Sequence, residues 1–161
     1  MATHRVFCGV ILWLAAGGRG QAAPVPLLPA APSAALSGAA AEAGSIQPGT
    51  SDDRRRAAFR MTTSRKPPYP WNVSLPTRTT APIRAGDTLQ FSYSARRIAS
   101  SHETGEAQID AVVEESAGEH RKLMECSHSF TGEWADVSVP FRADKDAAAG
   151  AAQATLRFGF A

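Results

Sequence analysis

Five carboxylates crowd one stretch of this chain: Glu103, Glu106, Asp110, Glu114 and Glu115. Hydrolysis of a glycosidic bond needs two such groups about 5–9.5 Å apart, one as acid and one as base or nucleophile. Asp110 and Glu114 share one side of an alternating segment whose other side is apolar, and a solvated strand face accounts for them. His120, Cys126 and His128 share one parity, and His102 is the only other histidine or cysteine after residue 8. Zinc takes three or four ligands from more than one element, so this set is short of a site. Trp71, Tyr93 and Trp134 are the rings on which the apolar face of a sugar could stack. Tyr93 stands in an apolar row and reads as core. Trp134 opens a strand after Gly132 and reads as a core anchor. Trp71 follows Pro70 at a sheet rim and is the candidate ligand contact. Gln90 and Arg96, opposite the Phe91 row, are candidate polar partners.

The elements that must position these groups are short strands. Thr88–Arg97 is the clearest: Leu89, Phe91, Tyr93 and Ala95 share one face, while Gln90, Ser92, Ser94 and Arg96 take the other, a period of two. Ala107–Glu115 alternates likewise, with Ile109, Ala111 and Val113 inward. His120–Phe130 puts Met124, Cys126 and His128 on one side and Leu123 on the other. Val137, Val139 and Phe141 alternate within Trp134–Phe141, as do Ala154, Leu156, Phe158 and Phe160 within Ala152–Phe160. Ala57–Thr62 is a shorter candidate. Trp71–Leu75 is another, with Trp71, Val73 and Leu75 aligned. About seven strands at this spacing predict an all-β sandwich or barrel over residues 56–161.

The first 55 residues read differently. Met1–Arg5 is a short positive region, Val6–Ala16 is apolar but too short to cross a ~30 Å hydrocarbon core as a helix, and Gly20-Gln21-Ala22 supplies small residues for signal-peptidase cleavage near Ala22 or Ala23. Residues 1–22 therefore read as a signal peptide, which implies a secreted protein, extracellular or periplasmic. Residues 23–55 are rich in Ala, Pro, Gly and Ser and read as a disordered linker, with at most a weak helix over Ala34–Ala43. Removing Arg5 and Arg19 from the 17 Lys and Arg leaves 15, which balances the 15 Asp and Glu. That balance argues against nucleic acid as a partner, and Arg54-Arg55-Arg56 beside Asp52-Asp53 reads as a solvated linker rather than a membrane-binding patch. Beyond the signal only Cys126 remains, so no internal disulfide is expected. Asn72-Val73-Ser74 has the form of a glycosylation sequon, relevant only in a eukaryotic secretory pathway.

Several landmarks occur in order: Pro70-Trp71-Asn72-Val73, Ala85-Gly86-Asp87-Thr88-Leu89, Phe91-Ser92-Tyr93-Ser94-Ala95-Arg96, Gly132-Glu133-Trp134, Val139-Pro140-Phe141 and Gln153-Ala154-Thr155-Leu156-Arg157-Phe158-Gly159. Together they resemble the galactose-binding-like jelly-roll modules of secreted bacterial carbohydrate-active hydrolases, endo-xylanase-like proteins among them. The resemblance covers Phe59–Phe160. It implies a non-catalytic module that binds a polysaccharide or oligosaccharide beside a hydrolase domain, and one further strand beyond Phe158-Gly159. A second reading is a sandwich that packs on a catalytic domain without touching sugar. No organic or redox cofactor is implied. A structural calcium stays open, because its carboxylate and carbonyl ligands leave no sequence pattern here. Gly86-Asp87-Thr88-Leu89 also resembles the Gly-Asp-Ser-Leu block of secreted esterases. However, Thr replaces the nucleophilic Ser, and the last histidine, His128, lacks an Asp three residues before it. A turn entering a strand explains the block as well.

Overall fold

The computed structural model describes residues 4–17, 25–29, 42–49, 58–101 and 103–160. The described residues form an all-β sandwich of two antiparallel sheets. The strands are β1 (His4–Gly17), β2 (Val25–Pro26), β3 (Gly44–Gly49), β4 (Ala58–Thr63), β5 (Ser74–Arg78), β6 (Thr88–Ala99), β7 (Ala107–Glu115), β8 (Lys122–Phe130), β9 (Ala135–Arg142) and β10 (Ala152–Arg157). The larger sheet runs β3-β4-β1-β6-β9, with β2 paired to β1, and the smaller runs β5-β10-β7-β8.

Alternation sets which residues meet between the sheets. Leu89, Phe91 and Tyr93 of β6 face Ile109, Ala111 and Val113 of β7 and Leu156 of β10 within one buried cluster. Leu75, Leu89, Phe91, Ile109 and Leu156 are fully buried, each worth roughly 1.5–3 kcal/mol relative to exposure. The two layers are also tied by a hydrogen bond: Thr63 Oγ1 of β4 donates to the Phe158 carbonyl just after β10, at 2.7 Å. The Gly86-Asp87 turn into β6 takes its expected form. Gly86 has φ 89°, the left-handed region open to glycine, and the Asp87 carboxylate accepts from the Arg84 amide at 2.8 Å.

Three segments differ from the sequence reading. The apolar run read as the core of a signal peptide is extended here as β1, which pairs Arg5 with Thr62 of β4 and with Ala99 of β6. A short uncharged apolar run can be a strand or a leader, and periodicity does not separate the two. The cleavage positions near Ala22 and Ala23 lie outside the described residues. Within the expected linker, Gly44–Gly49 pairs with β4, and Leu27, Leu28 and Ala43 are buried. Pro48 is tolerated in β3 because that strand lies at the sheet edge. The rest of the linker, including most of Ala34–Ala43, lies outside the described residues. Finally, Trp71 is not in a strand. Pro70–Asn72 forms a 3-10 turn with proline at its first position, the Tyr69 amide donates to Asn72 Oδ1 at 3.0 Å, and the strand starts only at Ser74.

Candidate functional site

The outer face of the smaller sheet carries the most developed surface feature among the described residues. Side chains of β7 with even numbers point away from the core. Register then places Gln153 beside Glu114, Thr155 beside Val112 and Arg157 beside Asp110. On the other side, Ser127 lies opposite Asp110 and Ser129 opposite Gln108. On β5, Ser74 and Pro76 extend the same rows. A groove of about 670 Å³ lies over Ser74, Pro76, Glu114, Lys122, Gln153, Thr155 and Arg157, with Trp71, Ser116 and His120 also lining it. That volume lies within the ~300–1,000 Å³ typical of small-ligand sites.

Trp71 stands at the rim of this groove, 49% exposed. The 3-10 turn projects it from the sheet, and Tyr69, 54% exposed, stacks on it nearly parallel, with ring centroids 4.6 Å apart. The guanidinium carbon of Arg157 lies 5.8 Å from the Trp71 ring centre, within reach of a cation–π attraction. Arg157 is itself buried and held by two carboxylates. Its Nη2 donates to Glu114 at 2.7 Å and its Nη1 to Glu125 at 3.5 Å, while Gln153 Nε2 donates to Glu114 Oε1 at 3.2 Å. Lys122 pairs with Glu125 at 2.5 Å. The charges along the groove therefore neutralise one another. Thr155 Oγ1 and Arg157 Nε are buried there without a hydrogen-bond partner.

The three residues expected to contact ligand are not brought together. Trp71 borders the groove, whereas Gln90 and Arg96 lie on β6 and project from the outer side of the larger sheet. There Gln90 donates to Ser138 Oγ on β9, and the Arg96 guanidinium carbon lies 5.2 Å from the Trp134 ring centre. The thickness of the sandwich separates them from Trp71. Trp134 is half-buried beside this arginine rather than in the core, because it lies in the loop before β9 and outside the alternating register. Tyr93 is core as expected, 2% exposed, with its hydroxyl 2.9 Å from His128 Nδ1.

Cys126 and His128 do face inward together, with Sγ 3.9 Å from Nδ1. Burial, with Asp110 and Glu125 nearby, pushes the Cys126 thiol up from its ordinary value, and burial lowers that of His128. His120 does not join them. A register shift between Val113 and Glu114 breaks the shared parity, and the His120 ring instead meets the Glu115 carbonyl at 3.0 Å. Among the described residues no three His, Cys, Asp or Glu side chains converge as metal ligands. Asp110 and Glu114 share the outer face as expected, Asp110 accepting from Ser127 at 2.5 Å and Glu114 tied to Arg157. Sequence reasoning missed Gln153 and Arg157, although the alternation of Ala154, Leu156 and Phe158 already assigned both to the opposite, outward side.

No protein family, curated protein or solved structure matches the chain.

Proposed function

We propose that the protein is a non-catalytic carbohydrate-binding module of the kind that serves a secreted polysaccharide-degrading hydrolase, and that sugar binds along the outer face of the smaller sheet. The observation that carries this reading is the exposed Tyr69–Trp71 stack at the rim of a groove lined by amide, hydroxyl and guanidinium groups. Sugar rings offer apolar C–H faces to an aromatic platform and hydroxyls to polar partners, and the groove supplies both. The carboxylates there serve as ion-pair partners: Glu114 is engaged by Arg157 and Gln153, and Glu125 by Lys122 and Arg157. A groove so arranged holds a ligand rather than transferring protons to it. Affinity electrophoresis of the folded chain through gels containing xylan, cellulose derivatives or pectin tests the reading. Retardation by at least one polymer is expected, and uniform mobility in all of them would count against it.

The same exposed aromatic pair supports a second reading, in which the face packs on a neighbouring catalytic domain, since exposed apolar groups also mark protein contacts. Trp71→Ala separates the two. Loss of retardation with unchanged stability favours sugar binding. Tighter association of the wild-type chain with a hydrolase domain, with no glycan bound, favours packing.

A further inference from the structure

Met124, Cys126 and His128 hold alternate positions on β8, so all three side chains leave the strand on its inner face. Alternate residues of a strand are about 6.6 Å apart along the chain, yet the donor atoms here are much closer. Cys126 Sγ lies 3.6 Å from Met124 Sδ and 3.9 Å from His128 Nδ1. Met124 and His128 therefore lean toward the cysteine from either side, and a thioether, a thiol and an imidazole converge. Bonds of ~2.3 Å to sulfur and ~2.0 Å to imidazole nitrogen set neighbouring donors about 3.6–4.0 Å apart around a three- or four-coordinate ion, which matches this spacing. The cluster is also reachable. β8 is the outermost strand of the smaller sheet. Met124 is buried, whereas Cys126 and His128 are half-buried and, like Val137 and Val139 of β9, pack on the margin of the core. An ion can enter there from the side of the sandwich without crossing its interior. This is the face opposite the groove, so the inference does not rest on the carbohydrate reading.

We propose that Met124, Cys126 and His128 form a binding site for one soft monovalent cation, copper(I). Ligand type and charge both point to this ion. Thiolate and thioether sulfur select soft metals, copper(I) among them, and imidazole suits copper as well. Binding exchanges the thiol proton, released to water, for the ion. Thiolate and cation then cancel, and a half-buried place gains no net charge. A divalent ion would leave one positive charge uncompensated. Zinc would also want further nitrogen, oxygen or thiolate ligands, and among the described residues no third His, Cys, Asp or Glu joins Cys126 and His128. One contact opposes binding. His128 Nδ1 is hydrogen-bonded to the Tyr93 hydroxyl at 2.9 Å, and the ring must give up that bond to turn its nitrogen onto the ion.

The test is titration of the reduced, metal-free full chain with copper(I), kept reduced by ascorbate, and with silver(I), a soft ion of the same charge that is stable in air. Native mass spectrometry gives the stoichiometry, and competition with bicinchoninate gives the copper(I) affinity. One ion per chain is expected. Cys126→Ser is expected to abolish binding although Cys8 is still present. Met124→Leu, a volume-conserving exchange that a core tolerates, and His128→Gln both leave the thiol in place. Each is expected to weaken binding by at least the ~10–100-fold that loss of an outer partner of a metal site costs. Tyr93→Phe keeps the ring and removes the competing hydrogen bond, so it is expected to tighten binding by about twofold to tenfold. Unchanged affinity in Met124→Leu and His128→Gln, both shown folded by circular dichroism, would reduce the site to a bare thiol and overturn the proposal. Retention of the ion by Cys126→Ser would overturn it too. Tighter binding of zinc than of copper(I) would overturn the assignment to a soft monovalent ion.

Discussion

Glu114→Gln removes one charge from the buried pair beneath the groove. Arg157 and Glu114 side chains are 9% and 7% exposed and 2.7 Å apart, so the arginine would be left with Glu125 alone, at 3.5 Å and 40% exposed. Breaking a buried ion pair by removing one partner costs ~3–5 kcal/mol, because the remaining charge stays desolvated. Glu125 offsets part of that, so the expected cost is about 3 kcal/mol, near the lower bound. With a urea m-value of ~2 kcal/mol/M for a domain of this size, the midpoint should fall by about 1.5 M. Replacing both partners by apolar residues, Glu114→Leu with Arg157→Met, removes both desolvation penalties. It should recover most of the loss, since such swaps are often neutral or stabilising by ~1–4 kcal/mol. Urea unfolding of wild type, both single variants and the double variant gives the coupling energy. A cost below about 1 kcal/mol for Glu114→Gln, or a double variant no better than the sum of the singles, would refute the claim that these charges are desolvated together.

Acidification should weaken the fold through His128. Burial holds its pKa below the ordinary 6.5, so the unfolded chain takes up the proton first, and stability should fall as pH drops below about 6.5 and be flat above it. Thermal unfolding between pH 5 and pH 8 checks this, and His128→Gln should flatten that part of the profile. Gly159→Ala should destabilise by about 1–3 kcal/mol, the range for overpacking, because the new methyl meets the Pro70 backbone at 2.4–2.8 Å; equilibrium denaturation measures it. The Cys126 thiol, its pKa raised chiefly by burial, should react with iodoacetamide at neutral pH more slowly than free cysteine. Comparable rates, followed by mass spectrometry, would contradict the half-buried position.

What was legible in the sequence was periodicity. Leu89, Phe91, Tyr93 and Ala95 alternate with polar residues because one face of β6 is buried and the other is wet, and β7 and β10 announce themselves in the same way. The run from Val6 to Ala16 is apolar throughout and carries no period of two, which is why β1 is indistinguishable from a leader by composition. Gly44–Gly49 hid behind Pro48 and its glycines, which an edge strand accepts. Trp71, Val73 and Leu75 imitated a strand, and the overriding signal was local: Pro70 at the start of a turn closed by Asn72. The groove was only partly visible. Trp71 could be found as a ring beside a proline, but its partners Gln153 and Arg157 lie some eighty residues on, and only the pairing of β5 with β10 brings them near. Gln90 and Arg96 lie on the larger sheet, away from Trp71, a distinction alternation within one strand cannot make.

The position of β1 has a consequence for the order in which the chain can assemble. It is made well before its long partner β6, with Arg5 opposite Ala99 and Gly17 opposite Thr88. At ~5–20 residues per second of synthesis, the apolar run from Val6 to Ala16 waits several seconds for β4 and then β6, the two strands that flank it. Such non-local pairing is slow even once all the parts are present, because the loop must close before any contact rewards it. During that interval the segment is exposed, extended and free to engage whatever meets the nascent chain, whether a chaperone, a translocation channel or another copy. Only after both β4 and β6 arrive does the folded sheet compete for it. The rate of translation through residues 18–87, rather than the stability of the finished sandwich, then decides which of these binds the segment first.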